Sequence, residues 1–428
     1  MAHVTIAEAS DAPNHPLALR MGVIAGVCFN VVIGTVMGSF SVMLASAQER
    51  LHVPLHQAAV GMLLVLIGSS LTAPFVGVLM AKFPLRRMMQ FGALLTTAGF
   101  LALAFTHSYT VYLGVYGLCF GPAMTLTGSV GPNTLVTRWF NQRRGLAVGL
   151  VNLAILIAIM PERLKVFVDY AGSDAAYLLL AGLCGLIMLP LTLFIQDYPP
   201  DHRPAAVAVE AGAGEAAAAA RTADGSLSMG QLLRQPKLWA LCVATSASMT
   251  SSILLGSLLI PIGTSWHYTA YQAAVLASIM SLIGIAGGIL FGWVADRIGG
   301  ARTLALVGFD CMVLWLALLL HPPFAGTAVV IGLIGLHGAA AMPALARALS
   351  DAFGAASYSR GLGLNTLISL PFSMIAILGS SLLLQKTGSF SLAMQAMAGL
   401  FLVGCLCGLF AARTGGSGHA GRAAASLA

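Results

Sequence analysis

Long runs of apolar residues dominate the chain, and short segments that hold most of its charges separate them. A helix needs about 20 apolar residues to cross a hydrocarbon core of about 30 Å, and each run is long enough. None shows the alternation of polar and apolar residues that is typical of barrel strands. The pattern therefore predicts an all-α integral membrane protein with twelve transmembrane helices. The expected spans are 21–45, 57–80, 88–107, 110–137, 144–164, 174–195, 238–263, 271–295, 302–320, 325–347, 361–384 and 390–411.

One segment in the middle of the chain breaks the apolar pattern. It contains Pro199, Pro200 and Pro204, an Ala-rich stretch and several charges, a composition typical of a flexible linker. We therefore expect two bundles of six helices each. The expected organisation is a tail at 1–16, a bundle at 17–195, a linker at 196–236, a second bundle at 237–412 and a tail at 413–428.

Composition narrows the class of protein further. Of the 428 residues, 58% are hydrophobic and only 8% are charged, whereas an ordinary soluble domain has about 25% charged residues. So few charges cannot cover the surface of a water-soluble protein of this size. Soluble enzymes, nucleic-acid-binding proteins and disordered chains are thereby excluded.

The basic residues predict the orientation in the membrane. With both termini placed inside, 17 of the 21 Lys and Arg residues fall in inner loops and 4 in outer loops. Cytoplasmic loops carry such an excess, so we expect a multi-pass protein of the inner (plasma) membrane with both termini cytoplasmic. The net charge of +7 then faces the anionic inner leaflet rather than a nucleic acid.

A loop motif occurs twice, after the second and the eighth span. The later copy reads GWVADRIGGAR at 292–302, and the earlier reads GVLMAKFPLRR at 77–87. This motif resembles the signature loop of the major facilitator superfamily, although the earlier copy has Ala81 where the family has Asp and Pro84 where it has Gly. The resemblance implies the major facilitator fold and transport by alternating access, in which one bundle rocks against the other.

Three further stretches resemble the bacterial oxalate/formate and monocarboxylate porters: GSFSVML at 38–44, RWFNQRRGLAVG at 138–149, and DAFG at 351–354 followed by RGLG at 360–363. The resemblance implies a monomeric secondary active transporter of a small organic solute, with a proton-coupled, monocarboxylate-like organic acid as the candidate substrate. Carboxylate-carrying members place an Arg in the eighth helix, but residues 271–295 contain no Lys or Arg. Export of neutral or amphipathic compounds is therefore an alternative, and a non-transporting sensor or scaffold with the same fold is another.

Enzymatic chemistry has no candidate residues in this sequence. An intramembrane enzyme would show ionisable residues clustered at one depth, and a P-loop for ATP is absent. The seven cysteines have neither metal-site nor disulfide spacing. We expect no cofactor, no metal, no ATP and no nucleic acid; the partners are the solute, protons and the lipid bilayer.

The resemblance also predicts a latch at the cytoplasmic ends of the helices. It places Asp296 at the N-terminus of a helix from the other half, where the helix dipole favours a carboxylate and where Arg143 and Arg144 are candidate partners. Such a latch would close the cytoplasmic side. Because Ala81 cannot form a charged contact in the other half, we expect one charged latch rather than two. The alternative is a tight charged turn at Asp296 and Arg297. The gating candidates are Asp296, Arg297, Arg302, Arg143, Arg144, Lys82, Arg86 and Arg87.

A few polar residues fall at membrane depth, where they are costly and often functional. His337 lies on the tenth span, which lines the cavity in the family, and an imidazole titrates near neutral pH. It is a candidate for proton coupling or substrate contact, or it bonds to a neighbouring hydroxyl or carbonyl. Asp310, a second proton-coupling candidate, lies on the ninth span, where it stays protonated or pairs with a neighbouring helix. The substrate-binding candidates are Asn30, Asn133, Asn152, His337 and Asn365.

Overall fold

The computed structural model describes residues 14–200, 227–387 and 389–425, and their regular secondary structure is helical throughout. We number the helices by the twelve expected spans. In the first half they are α1 (Ala18–Ile33, Gly34–Gly38 and Phe40–Leu51), α2 (Leu55–Lys82), α3 (Leu85–Phe105), α4 (Tyr109–Gly114 to Val130–Trp139), α5 (Arg144–Val151, then Ile155 onward) and α6 (to Leu189–Leu193). In the second half they are α7 (Pro236–Ser265), α8 (Ala270–Ile298), α9 (Gly300–Leu318), α10 (Phe324–Gly338 and Ala341–Phe353), α11 (Ala355–Thr387) and α12 (Ser391–Ala425).

Several turns between helices depend on glycine. Gly172 separates α5 from α6 with φ at +84°, Gly299 separates α8 from α9 at +89°, and Gly354 separates α10 from α11 at +77°. Only glycine adopts these values without steric cost. Helix ends at Gly299 and Gly354 therefore follow directly from the sequence.

Within the described residues, nine continuous helical stretches are long and apolar enough to cross a membrane. One of them, Arg144–Leu193, contains the break at Gly172 and so accounts for two expected spans. The two remaining spans correspond to α7 and α11, which have 30 and 33 residues. The twelve-helix membrane fold is confirmed, with α12 extending past its expected end.

The helices form two compact units. The first contains the described residues of 1–142, 151–226 and 355–367, and the second contains those of 143–150, 227–354 and 368–428. Two short segments, the start of α5 and the start of α11, therefore belong to a unit that is otherwise built from the opposite half of the sequence. Each makes backbone-close contacts within its unit, as described below.

The expected linker is only partly described. Its first residues are held in the first unit, where the Trp139 indole donates a hydrogen bond to the Gln196 carbonyl (2.8 Å). Near its end, a short helix, Met229–Leu233, begins with a capping box between Ser228 and Gln231. Residues 201–226 lie outside the described part of the chain.

Candidate functional site

Asp296, at the last turn of α8, caps the first turn of α5 in the second unit. Its Oδ1 accepts a hydrogen bond from the Gly145 amide (2.8 Å) and its Oδ2 from the Leu146 amide (2.9 Å). Amide groups in the first turn of a helix have no partner within it. The residue before α5 is Arg143, which has φ at +56° and no side-chain oxygen to serve as an N-cap. The α8 carboxylate supplies the missing acceptor, and we call this contact the latch.

Glycines bring α5 and α8 together beside the latch. A Cβ added to Gly292 would lie 2.6 Å from the Gly145 carbonyl oxygen, and one added to Gly149 would collide with the Gly288 carbonyl oxygen. Both helices therefore carry glycines four residues apart at the crossing. Small residues at this spacing let two helix backbones approach closely.

Of the predicted gating arginines, Arg144 lies closest in sequence to the amides that the Asp296 carboxylate caps. Arg144 is in electrostatic range of Asp351 and Asp296, and Arg347 Nε lies 3.1 Å from Asp351 Oδ2. Arg143, Arg297 and Arg302 are exposed. The Arg297 guanidinium lies over the Trp293 ring, 4.0 Å from its centroid.

The first unit contains a similar crossing between α2 and α11. A Cβ on Gly77 would lie 2.5 Å from the Ser359 carbonyl oxygen, and one on Gly363 would collide with the Ala73 carbonyl oxygen. The Ser359 hydroxyl donates to the Gly77 carbonyl (3.0 Å). The hydrogen bond between these two residues is thus a neutral one. The three basic residues of this loop, Lys82, Arg86 and Arg87, are exposed.

A second carboxylate cap was missed by the sequence reasoning. Asp197, just after α6, accepts hydrogen bonds from the Leu85 amide (2.9 Å) and the Arg86 amide (3.0 Å) at the start of α3. Pro84 was the available signal in the sequence, because it precedes α3 and has no side-chain acceptor, so the first amides of α3 need an acceptor from elsewhere. Asp197 thereby anchors the first residues of the linker to the loop between α2 and α3.

Three of the four candidate asparagines meet where α5 is interrupted. Residues 152–154 are not helical. Asn152 and the fully buried Asn133 exchange amide hydrogen bonds of 2.6 and 3.4 Å. Asn30 Oδ1 accepts from the Leu156 amide (3.2 Å), an N–H at the start of the resumed helix. Side-chain amides therefore satisfy backbone and side-chain groups around the break in α5.

Asn365 differs from the other asparagines. Its side chain is buried in the first unit, and its Oδ1 has no hydrogen-bond partner among the described residues. A buried acceptor without a donor is uncommon in proteins.

His337 and Asp310 form a pair in the second unit. His337 Nε2 lies 3.2 Å from Asp310 Oδ2, and its Nδ1 lies 2.7 Å from the Leu333 carbonyl oxygen. The imidazole is buried and packs against the Phe291 ring, with centroids 4.9 Å apart. The sequence treated the two residues as separate candidates; the structure brings them into contact.

These features define a class: a multi-pass membrane protein in which each unit packs a segment from the opposite half of the sequence at a glycine crossing, with a carboxylate cap beside one of them. The chain belongs to the Major Facilitator Superfamily, whose sequence profile matches residues 26–332 and 241–426. It is therefore a membrane transporter of small solutes, as the sequence predicted.

Two proteins are similar to this chain in sequence and one in structure. The chain is 22% identical to the uncharacterized MFS-type transporter YcxA of Bacillus subtilis (strain 168) over 387 residues, covering 85% of this chain and 88% of that one. It is 24% identical to the oxalate:formate antiporter of Oxalobacter formigenes over 244 residues, covering 56% and 55%. Among solved structures, the MFS transporter FucP in the outward conformation matches with a TM-score of 0.67 and 16% identity, over 91% of this chain and 98% of that chain.

Proposed function

We propose that this protein is a secondary active transporter that moves a small organic solute by alternating access, with the latch as a releasable fastening at the cytoplasmic side. The observation that carries the proposal is the capping of α5 by Asp296. A segment from the first half of the sequence is held by a carboxylate from the second half, through two hydrogen bonds that water can replace. Such a contact is strong enough to favour the state in which the cytoplasmic side is closed, and weak enough to open.

The latch favours the state in which the cytoplasmic side is closed. The excess of basic residues in the loops on the latch side supports a cytoplasmic location for them and for both termini. At the corresponding crossing of the first unit the hydrogen bond between Ser359 and Gly77 is neutral, whereas the latch depends on a carboxylate and can be weakened by charge removal. Asp296 is the main gating residue in this proposal, and the surrounding arginines set the local field.

An organic acid is the substrate class that the relatives favour, and its uptake together with a proton is part of our proposal. The oxalate:formate antiporter and the shared motifs support it. Asn365 Oδ1 and the asparagines at the α5 break supply neutral hydrogen-bonding groups for a solute, and the Asp310–His337 pair supplies a site for the coupling proton. The absence of Lys and Arg from 271–295 favours a second candidate, a neutral or amphipathic solute.

Solute uptake into proteoliposomes tests the proposal. Purified protein is assayed with a panel of labelled mono- and dicarboxylates and neutral solutes, with and without an inward proton gradient and a protonophore. We expect carboxylate uptake that the gradient stimulates and that Asp296→Ala reduces. Asp169→Asn is the matched control, because that exposed carboxylate on α5 pairs with Lys165 one turn away. Gradient-independent uptake of neutral solutes alone would support the second candidate, and no uptake of any solute would contradict the transport proposal.

A further inference from the structure

We infer that Asp310 and His337 bind one proton as a single unit, and that this proton controls the latch through α8. The inference rests on the proposed function, since it assigns the coupling proton to a site. It does not depend on the identity of the solute, because the ligand at this site is the proton itself.

The hydrogen bonds of the imidazole fix the number of protons. The Leu333 carbonyl oxygen can only accept, so His337 Nδ1 must carry a hydrogen. The other nitrogen, Nε2, faces a carboxyl oxygen of Asp310. That contact is a hydrogen bond only if the imidazole is protonated at Nε2 or the carboxyl group is protonated. In either form the pair holds one proton beyond the Nδ1 hydrogen.

Loss of this proton would leave the Nε2 lone pair facing an ionised carboxylate. The two groups would repel each other, and the His337 side chain, which is 9% exposed, could gain little from water in compensation. Asp310 is ten residues into α9, about 15 Å along the helix axis, so the pair lies far from either end of this 19-residue helix. A carboxylate at such depth needs a partner.

Helix α8 connects the pair to the latch. Its Phe291 ring packs on the His337 imidazole, and the next residue, Gly292, lies against Gly145 of α5. Asp296 follows five residues after Phe291, about 7.5 Å along the axis. Glycines also let α8 and α10 approach closely, since a Cβ on Gly284 would lie 3.2 Å from the Gly335 carbonyl oxygen. Repulsion within the deprotonated pair would displace the imidazole toward Phe291 and thereby shift the latch.

Other ionisable groups on the surrounding helices lie elsewhere. Cys311 adjoins Asp310 on α9, and Cys405 on α12 packs beside Gly308. Arg302 precedes Asp310 by eight residues, about 12 Å along the axis. The remaining groups are Lys237 and Cys242 on α7, Asp296 and Arg297 on α8, Arg347 and Asp351 on α10, Cys407 and Arg413 on α12, and His267, Tyr268 and His321 in the loops after α7 and α9.

Hydrogen exchange of the latch amides tests the inference. Peptides covering 141–151 are followed by mass spectrometry in lipid nanodiscs across a pH series without any solute, with labelling times scaled to the intrinsic amide rate at each pH. In the wild type, protection of the Gly145 and Leu146 amides should fall once the pair loses its proton. Asp310→Asn should abolish this pH dependence, because its amide donates to Nε2 at every pH. His337→Gln should also abolish it, and Asp169→Asn should retain it.

A second measurement counts the proton. Alkaline titration of the wild type, followed by infrared difference spectroscopy and proton release, should yield one proton more than the same titration of Asp310→Asn. Protection that does not change with pH in the wild type would overturn the inference. So would an unaltered pH response in Asp310→Asn, since the titrating group would then lie outside the pair. Failure of solute uptake with an intact pH response would instead contradict only the transport proposal.

Discussion

Removal of the Asp296 carboxylate should loosen the start of α5 by a measurable amount. Asp296→Ala takes away the acceptor of two amide hydrogen bonds of 2.8 and 2.9 Å. Loss of an N-cap costs about 0.5–2 kcal/mol, and a partly buried charge at a helix end adds up to about 2 kcal/mol. We therefore expect a loss of about 2–3 kcal/mol, which corresponds to about 30- to 150-fold in the opening equilibrium. Asp296→Asn keeps an acceptor oxygen and should cost about 1 kcal/mol, or about fivefold.

Hydrogen exchange of the peptide covering 141–151 at fixed pH measures this opening directly, because amides exchange from the open state. The order of exchange rates should be Asp296→Ala above Asp296→Asn above wild type. Asp169→Asn, on the same helix, should match the wild type, since exposed ion pairs contribute little. Equal rates in Asp296→Ala and the wild type would refute the reasoning, because the amides would then be protected by packing at the glycine crossing alone.

Two further predictions concern the first unit. Gly363→Ala should destabilise the α2–α11 crossing by about 1–3 kcal/mol, because its Cβ would collide with the Ala73 carbonyl oxygen. Gly379→Ala, in open space on the same helix, should not lower the thermal stability. Equal losses of thermal stability in the two variants would contradict the close packing of α2 against α11. Asn133→Leu should cost about 1–3 kcal/mol because it removes both hydrogen bonds between Asn133 and Asn152. The double variant Asn133→Leu/Asn152→Leu should cost less than the sum of the singles in thermal unfolding, and additive losses would show that the pair is not coupled.

The sequence predicted the number and the approximate limits of the helices because apolar length is a local property. Breaks at Gly299 and Gly354 are equally local, since glycine alone tolerates their backbone angles. The interruption of α5 at 152–154 was not predictable in this way. Leu153 and Ala154 favour helix, and the break depends on side chains from α1 and α4 that satisfy the groups around it.

The candidate site was predicted residue by residue but not as a set of contacts. Asp310 and His337 are 27 residues apart, and their pairing depends on how α9 and α10 are rotated about their axes. Helices that are apolar on all sides have no polar stripe from which this rotation could be predicted. Asp197 was missed for a related reason, because its partners, the amides that open α3, lie more than a hundred residues earlier. Contacts that close large loops depend on tertiary packing, to which a local pattern is insensitive.

The segment 143–150 has a consequence for dividing the protein into parts. A chain cut within the linker would give one fragment whose α5 begins without a cap and another whose Asp296 carboxylate lacks its amides. Each fragment would thus lack part of one of the units as they are packed here. A chimera that joins the first half of this chain to the second half of a relative therefore has a specific requirement. The relative must supply an acidic residue and two glycines at the positions of Asp296, Gly292 and Gly288, or α5 will lose the surface against which it folds.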